Sequence, residues 1–268
     1  MALEMGVIAP HVPSICFEEK APPYQRSIID GMYKVSEMID SIKPDCVIVI
    51  SCHWMTTFDH FVTSAPYYDG TCTSPENPFL ITKVPYKYPG DPELANQLVE
   101  AGTKAGLPVI SVDHTDYELD YGTVVPLRYL TPKSQYPIIS LPVVLCATLD
   151  EHYKWGQIIR EVVDKSGKKV VFVASGALSH NLVRGRENMP THAEMAMNEK
   201  FFNFVMNNDF KSAWEMTPQF SRSAGVESGG RHLASLLGAL GSDTYKTGYF
   251  GFAQSSGSGN YVITFERQ

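Results

Sequence analysis

Along this chain the apolar positions switch between two periods, and the switch predicts strands and helices in turn. Cys46-Val47-Ile48-Val49-Ile50 is an apolar run rich in β-branched residues, placed after Lys43-Pro44. No polar position interrupts it, as expected for a central strand buried on both faces. Residues 169–174 repeat the pattern, and residues 6–9, 108–112 and 136–145 give further strands. Between them, Ile28, Ile29, Met32, Val35, Ile39 and Ile42 recur at helical spacing and predict a helix over 23–42. Asp91-Pro92-Glu93 opens another helix with a cap, a first-turn proline and an acid. Residues 151–165, 194–207 and 228–240 predict three more helices, and 249–253 and 261–265 two closing strands. Residues 63–89 are rich in Pro, Tyr, Asn and Gly without strong periodicity, which predicts a functional loop or cover. Strands alternating with helices, with no repeat and no linker, predict a single α/β domain over residues 1–268. Its centre is expected to be a mostly parallel mixed sheet flanked by helices.

Composition narrows the function classes. Charged residues make up 19% and hydrophobic residues 44%, against a usual charged share of about a quarter. That suits a well-covered core and a buried subunit contact. A net charge of −7 argues against nucleic acid or an anionic membrane as partner. The longest uncharged apolar stretch, residues 134–149, carries Pro137 and Pro142 and reads as a strand, not a membrane span. The first ten residues contain Glu4 and are too short for a signal peptide, so a cytoplasmic protein is expected. Five cysteines, an odd number with no CxxC pair, fit a reducing compartment better than a disulfide framework.

Candidate chemistry gathers where strands end. In open α/β sheets, ligands bind beyond the carboxyl ends of the strands, and His53-Trp54 ends the 46–50 run. His11 stands between Pro10 and Val12-Pro13, on a turn stiffened by proline. His180 follows the second buried run through Ser175-Gly176-Ala177-Leu178-Ser179. Each histidine alone is explained as well by packing or capping. Two histidines and a carboxylate on one face of a metal would suit Fe(II) chemistry with oxygen. No HxxxH or HExxH signature is present, so any ligands must come from different elements. Spacing alone leaves the metal open. The Ser255-Ser256-Gly257-Ser258-Gly259 segment lacks the Lys-Ser/Thr ending of a phosphate loop and reads as a turn.

Seven short motifs in order change the picture. They are Pro10-His11-Val12-Pro13-Ser14, His53-Trp54, Asp91-Pro92-Glu93-Leu94, Asp120-Tyr121-Gly122-Thr123-Val124-Val125-Pro126-Leu127, Ala174 through His180, Glu227 ahead of Leu236-Leu237-Gly238-Ala239-Leu240-Gly241, and Ser255 through Gly259. With them the chain resembles, nearly end to end, the class III extradiol ring-cleavage dioxygenases, the superfamily of the protocatechuate 4,5-dioxygenase catalytic subunit. Within it the likeness is to homoprotocatechuate 2,3-dioxygenases and 2-aminophenol dioxygenases. The resemblance implies Fe(II) held by His11, His53 and Glu227, with His180 as the acid–base histidine. It implies a small aromatic substrate and O₂ as partners.

The sequence departs from the family pattern at two places. Tyr121 stands where several branches have a second pocket histidine, and is assigned beside His180. The segment Glu227-Ser228-Gly229-Gly230-Arg231-His232 differs around the carboxylate, and assigns Arg231 and His232 to substrate selection. Three other readings stay open at this point: zinc with hydrolytic chemistry, a non-catalytic binding protein of the same fold, and one subunit of a hetero-oligomeric dioxygenase. A homo-oligomer is the expected assembly.

Overall fold

An apolar run with no polar position has to be covered from both sides, and Cys46–Ile50 is. In the computed structural model, which describes residues 3–268, Ile48 and Ile50 pack into one apolar cluster and Val47 and Val49 into another on the opposite face. In chain order the elements are β1 (Leu3–Ala9), α1 (Arg26–Ile42), β2 (Cys46–Thr56), β3 (His60–Thr63), β4 (Tyr67–Cys72) and β5 (Val84–Pro89). Next come α2 (Pro92–Lys104), β6 (Val109–Val112), α3 (Tyr121–Leu130), β7 (Ile138–Val144), α4 (Leu149–Ser166) and β8 (Val170–Ser175). The chain ends with α5 (His192–Met206), α6 (Phe210–Ala224), α7 (Arg231–Leu240), β9 (Tyr245–Ser255) and β10 (Ser258–Arg267).

The central sheet has the order β7-β2-β8-β1-β10-β9. Its first four strands run parallel, while β10 is antiparallel to β1 and β9 to β10. The fold is therefore the expected α/β layer with a mostly parallel, mixed sheet. Helices α2, α4, α5, α6 and α7 cover one face; α1, α3 and the β4–β5 hairpin cover the other. Among the described residues, no helix is long and apolar enough to cross a membrane.

Register decides what shares an edge. Ser51, Ser175 and Ala9 are level on the adjacent strands β2, β8 and β1. The residues just beyond this level, His53 within β2, the segment to His180 after β8 and His11 after β1, therefore lie at one rim. That is the rim at which open α/β sheets bind ligands.

Three local expectations change. The β2 strand does not stop at His53 but runs to Thr56, with its pairing to β7 slipping from Ser51↔Pro142 to Met55↔Val143. Pro142 has no N–H to continue the ladder, so Cys52, His53 and Trp54 bulge out, and a bulge re-aims its side chains. Residues 63–89 are not a bare cover: they contain the antiparallel pair β4–β5, with Tyr68, Tyr86 and Tyr88 buried. The 109–112 strand lies outside the central sheet, paired with β3. Tyr121-Gly122 begins α3, capped by Asp120. A further helix, α6, carries Pro218 in its interior. The residues 255–259 do form a turn, with positive φ at Ser256 (52°) and Gly257 (85°), as a tight two-residue hairpin requires.

Candidate metal centre and cleft

His11 is the best-defined member of the site, because its neighbours settle its tautomer. The Ser175 hydroxyl donates to the Gly122 carbonyl at 2.5 Å. Its oxygen is thereby left to accept the Nδ1–H of His11, 2.9 Å away. The other nitrogen, Nε2, is then bare and lies 3.0 Å from Glu227 Oε1. Two lone pairs facing each other at that distance need a positive charge between them. A proton or a metal ion would serve, and a metal-bound histidine usually shows this same fixed outer N–H.

Glu227 is held with equal definition. Its Oε2 accepts the Ala177 N–H at 2.6 Å, which leaves Oε1 facing His11. The 3-10 turn Glu227–Gly230 reverses the chain through three left-handed residues in succession, Ser228, Gly229 and Gly230, with φ of 49°, 66° and 82°. Ser228 has no glycine's freedom there, and its hydroxyl donates to the Cys52 carbonyl at 3.1 Å, tying the turn to the β2 bulge. Burial would raise the Glu227 carboxyl, but the imidazoles of His11 and His180, with hydrogen bonds from His11 and His53, hold it well below the carboxylate range. The same pairing works on His11: burial lowers its pKa, Glu227 outweighs that, and the net shift is upward.

His53 is placed by its backbone. Ser51 Oγ accepts the His53 N–H at 3.1 Å and donates to Asp120 Oδ2 at 2.5 Å. Asp120 in turn caps α3 through Gly122 N and Thr123 Oγ1, both at 2.8 Å. This fastener presents Tyr121, whose hydroxyl lies 2.6 Å from His53 Nε2. That nitrogen is 3.4 Å from Glu227 Oε1. Burial pushes the Tyr121 phenol far up, so it stays a donor at any working pH.

Space at the fastener admits only glycine. A Cβ on Gly122 would sit 2.2 Å from Ser51 Oγ and 3.4 Å from His53 Cβ. Gly122→Ala is expected to destabilise the fold by about 1–3 kcal/mol, the usual cost of overpacking. Urea unfolding measures this, and an unchanged midpoint would mean that the fastener yields without cost.

One donor atom each from His11, His53 and Glu227 lies within 4.8 Å of the others. Two imidazoles and a carboxylate on three separate elements make the donor set of a facial metal site with open positions. The residues therefore fit a divalent metal. His180 stands beside them without joining them, its Nε2 3.7 Å from Glu227 Oε1. Burial lowers its pKa, Glu227 opposes, and His11 and His53 reinforce the lowering, so it is neutral near pH 7.

These groups line a cleft of about 240 Å³. Val12, Pro13 and Leu80 supply apolar wall, and Ser255, Ser256, Ser258 and Asn260 supply polar wall. Glu76 and Asn77 enter from the β4–β5 loop, and Arg186 from the segment after His180. The structure thus brings together His11, His53, Glu227, Tyr121 and His180.

It does not bring Arg231 or His232 to the cleft, and their assignment to substrate selection is corrected. The Arg231 guanidinium donates to the carbonyls of Leu145, Ala147 and Ser228 at 2.8–3.2 Å. His232 is fully buried, so close to Gly176 that a Cβ there would meet its Nε2 at 2.7 Å. The charged cleft residues that sequence reasoning missed are Glu76 and Arg186. Both lie in segments without periodicity, where only nearness to a strand exit or to the cover hinted at a role.

Comparison with known proteins adds a family. Residues 5–263 match the family described as "Catalytic LigB subunit of aromatic ring-opening dioxygenase". The chain is 28% identical over 246 residues to a 3,4-dihydroxyphenylacetate 2,3-dioxygenase of Escherichia coli, covering 88% of this chain and 89% of that one. It is 25% identical over 281 residues to the beta subunit of a 2-aminophenol 1,6-dioxygenase of a Pseudomonas species, covering 96% and 92%. Among solved structures, an uncharacterized protein of Escherichia coli K12, JW3007, superposes with a TM-score of 0.73 at 19% identity, over 98% of this chain and 99% of that one. That last likeness is one of fold.

Proposed function

The chain belongs to the family of the catalytic LigB subunit of aromatic ring-opening dioxygenases and is an extradiol ring-cleavage enzyme, and from that premise we propose that it is Fe(II)-dependent and opens a catechol-type or 2-aminophenol-type ring with both atoms of O₂. The observation that carries the metal is the convergence of His11 Nε2, His53 and Glu227 Oε1 on one point, within 4.8 Å of one another. Iron bound there would supply open coordination positions for two adjacent substrate heteroatoms and for O₂, and a path for electrons between them.

The chain's own residues do the rest. Ser175 and the Ala177 N–H orient His11 and Glu227 so that their free atoms meet. His180, neutral and beside Glu227, can take a proton at Nε2 from a substrate hydroxyl and return it as the ring opens. Such positioned acid–base help is typically worth about 10²–10⁴ in rate. Tyr121 is a second donor, its hydroxyl 2.6 Å from His53 Nε2. Since the chain carries every one of these residues, it is the catalytic chain whether it assembles with itself or with a second kind of subunit.

The test is direct. Protein prepared without oxygen and loaded with Fe(II) should consume one O₂ per ring opened with catechol, 3,4-dihydroxyphenylacetate or 2-aminophenol, giving a product that absorbs visible light. Activity restored only by zinc, without O₂ uptake, would overturn the reading in favour of hydrolysis.

A further inference from the structure

Arg186 is the one arginine or lysine among the described residues that line the cleft. Its guanidinium has no carboxylate or carbonyl partner among the described residues, in contrast to Arg231, which donates to three carbonyls. The backbone that carries it is well pinned. Val183 N–H donates to Ser256 O at 2.7 Å, Ser256 N–H to Arg186 O at 3.1 Å, and Gly257 N–H to Asn188 O at 2.9 Å. Three bonds thus clamp residues 183–188 to the β9–β10 turn, whose Ser255, Ser256 and Ser258 also face the cleft. Gly185, at φ 102°, makes the local bend. The segment therefore holds an unpaired guanidinium at the cleft, six residues beyond His180.

From this placement we propose that Arg186 is the specificity-determining residue of the cleft, and that it selects aromatic substrates whose ring bears a short side chain ending in a carboxylate. The proposal rests on the ring-cleavage reading above and adds the substrate class to it. A substrate that turns its two ring heteroatoms towards His11, His53 and Glu227 points its substituent away from the floor. A carboxylate on a short arm then meets a planar fork of donors that matches both of its oxygens. The cleft also holds an exposed carboxylate, Glu76: its Oε2 accepts the Ser74 hydroxyl at 2.9 Å, and its Oε1 lies 3.8 Å from His53 Nδ1. Glu76 would favour a cationic arm, so the two groups make opposite demands that experiment can separate.

The measurement compares 3,4-dihydroxyphenylacetate, 4-methylcatechol and dopamine, which carry an acidic, a neutral and a cationic arm. Wild type should prefer the acid. In Arg186→Ala the ratio of kcat/KM for the acid to that for 4-methylcatechol should fall about 10- to 100-fold, the range expected when a hydrogen bond to a charged group is removed. Because the contact is remote from the reacting atoms, the loss should appear in KM, with kcat for the acid held. Arg186→Lys should recover part of it, since it restores the charge without the fork.

Calorimetric binding of 3,4-dihydroxyphenylacetate under argon gives a readout that needs no turnover. A dissociation constant raised about 10- to 100-fold in Arg186→Ala, with that for 4-methylcatechol unmoved, supports the assignment. An equal loss for all three compounds, an unmoved constant for the acid, or a wild-type preference for dopamine overturns it. Failure of every compound to open in oxygen would overturn the reaction and leave the binding result to decide on Arg186.

Discussion

His53→Ala is expected to abolish ring-opening activity together with high-affinity iron binding, while leaving the fold intact. Among the described residues the proposed site has three ligand atoms, on three separate elements, and none duplicates another. Removing an outer partner of a metal ligand typically costs about 10- to 100-fold in affinity, so losing one of three direct ligands should cost more. The fold should survive, because the core residues of β2 lie before the bulge that carries His53. The small side chain also relieves Tyr121, whose hydroxyl is left free to find water. Anaerobic titration with Fe(II), followed by metal analysis after gel filtration, measures the first effect, and thermal unfolding the second. Full stoichiometric iron in the variant would remove His53 from the ligand set. Lost iron with a collapsed melting transition would show that it had been a structural residue.

The histidines of this site are legible in the sequence for a structural reason. Three apolar runs announce β1, β2 and β8, and these turn out to be neighbours in parallel, so the residues after them share a rim. Glu227 has no such signal. It stands in a turn after α6, a helix whose buried Phe210, Ala213, Met216, Phe220 and Ala224 are spaced helically but interrupted by Pro218. Only the resemblance points to it. The bulge at His53 depends on Pro142 of a strand far along the chain, which no local pattern encodes.

Arg231 and Arg186 show the same limit at side-chain scale. Nearness of Arg231 to Glu227 in sequence says nothing about direction. As the first residue of α7, its side chain projects back along the helix, as helical side chains do, and reaches the carbonyls that follow β7. Arg186 looks like an ordinary loop arginine until backbone hydrogen bonds to Ser256 draw its segment to the cleft. Glu76 is in the same position, carried on a loop of a hairpin whose alternating Val84, Tyr86 and Tyr88 are buried.

His180→Asn should separate proton handling from metal binding, and it is the sharper test of how the site works. The imidazole sits 3.7 Å from Glu227 Oε1, near enough to address whatever occupies the open side of the ligand triangle. It is not one of the three residues whose donor atoms converge. Burial, reinforced by His11 and His53 against the pull of Glu227, keeps it neutral near pH 7, so Nε2 can accept a proton and hand it back. Asparagine keeps a polar side chain of smaller size at the same place but has no proton-accepting nitrogen with a useful pKa. The variant is therefore expected to retain iron and to bind substrate with little change, while kcat falls by about 10²–10⁴. Iron content, anaerobic substrate titration and oxygen uptake measure the three quantities separately. Loss of iron along with activity would make His180 a fourth ligand, and an undiminished kcat would move the proton to Tyr121, the other donor at the centre.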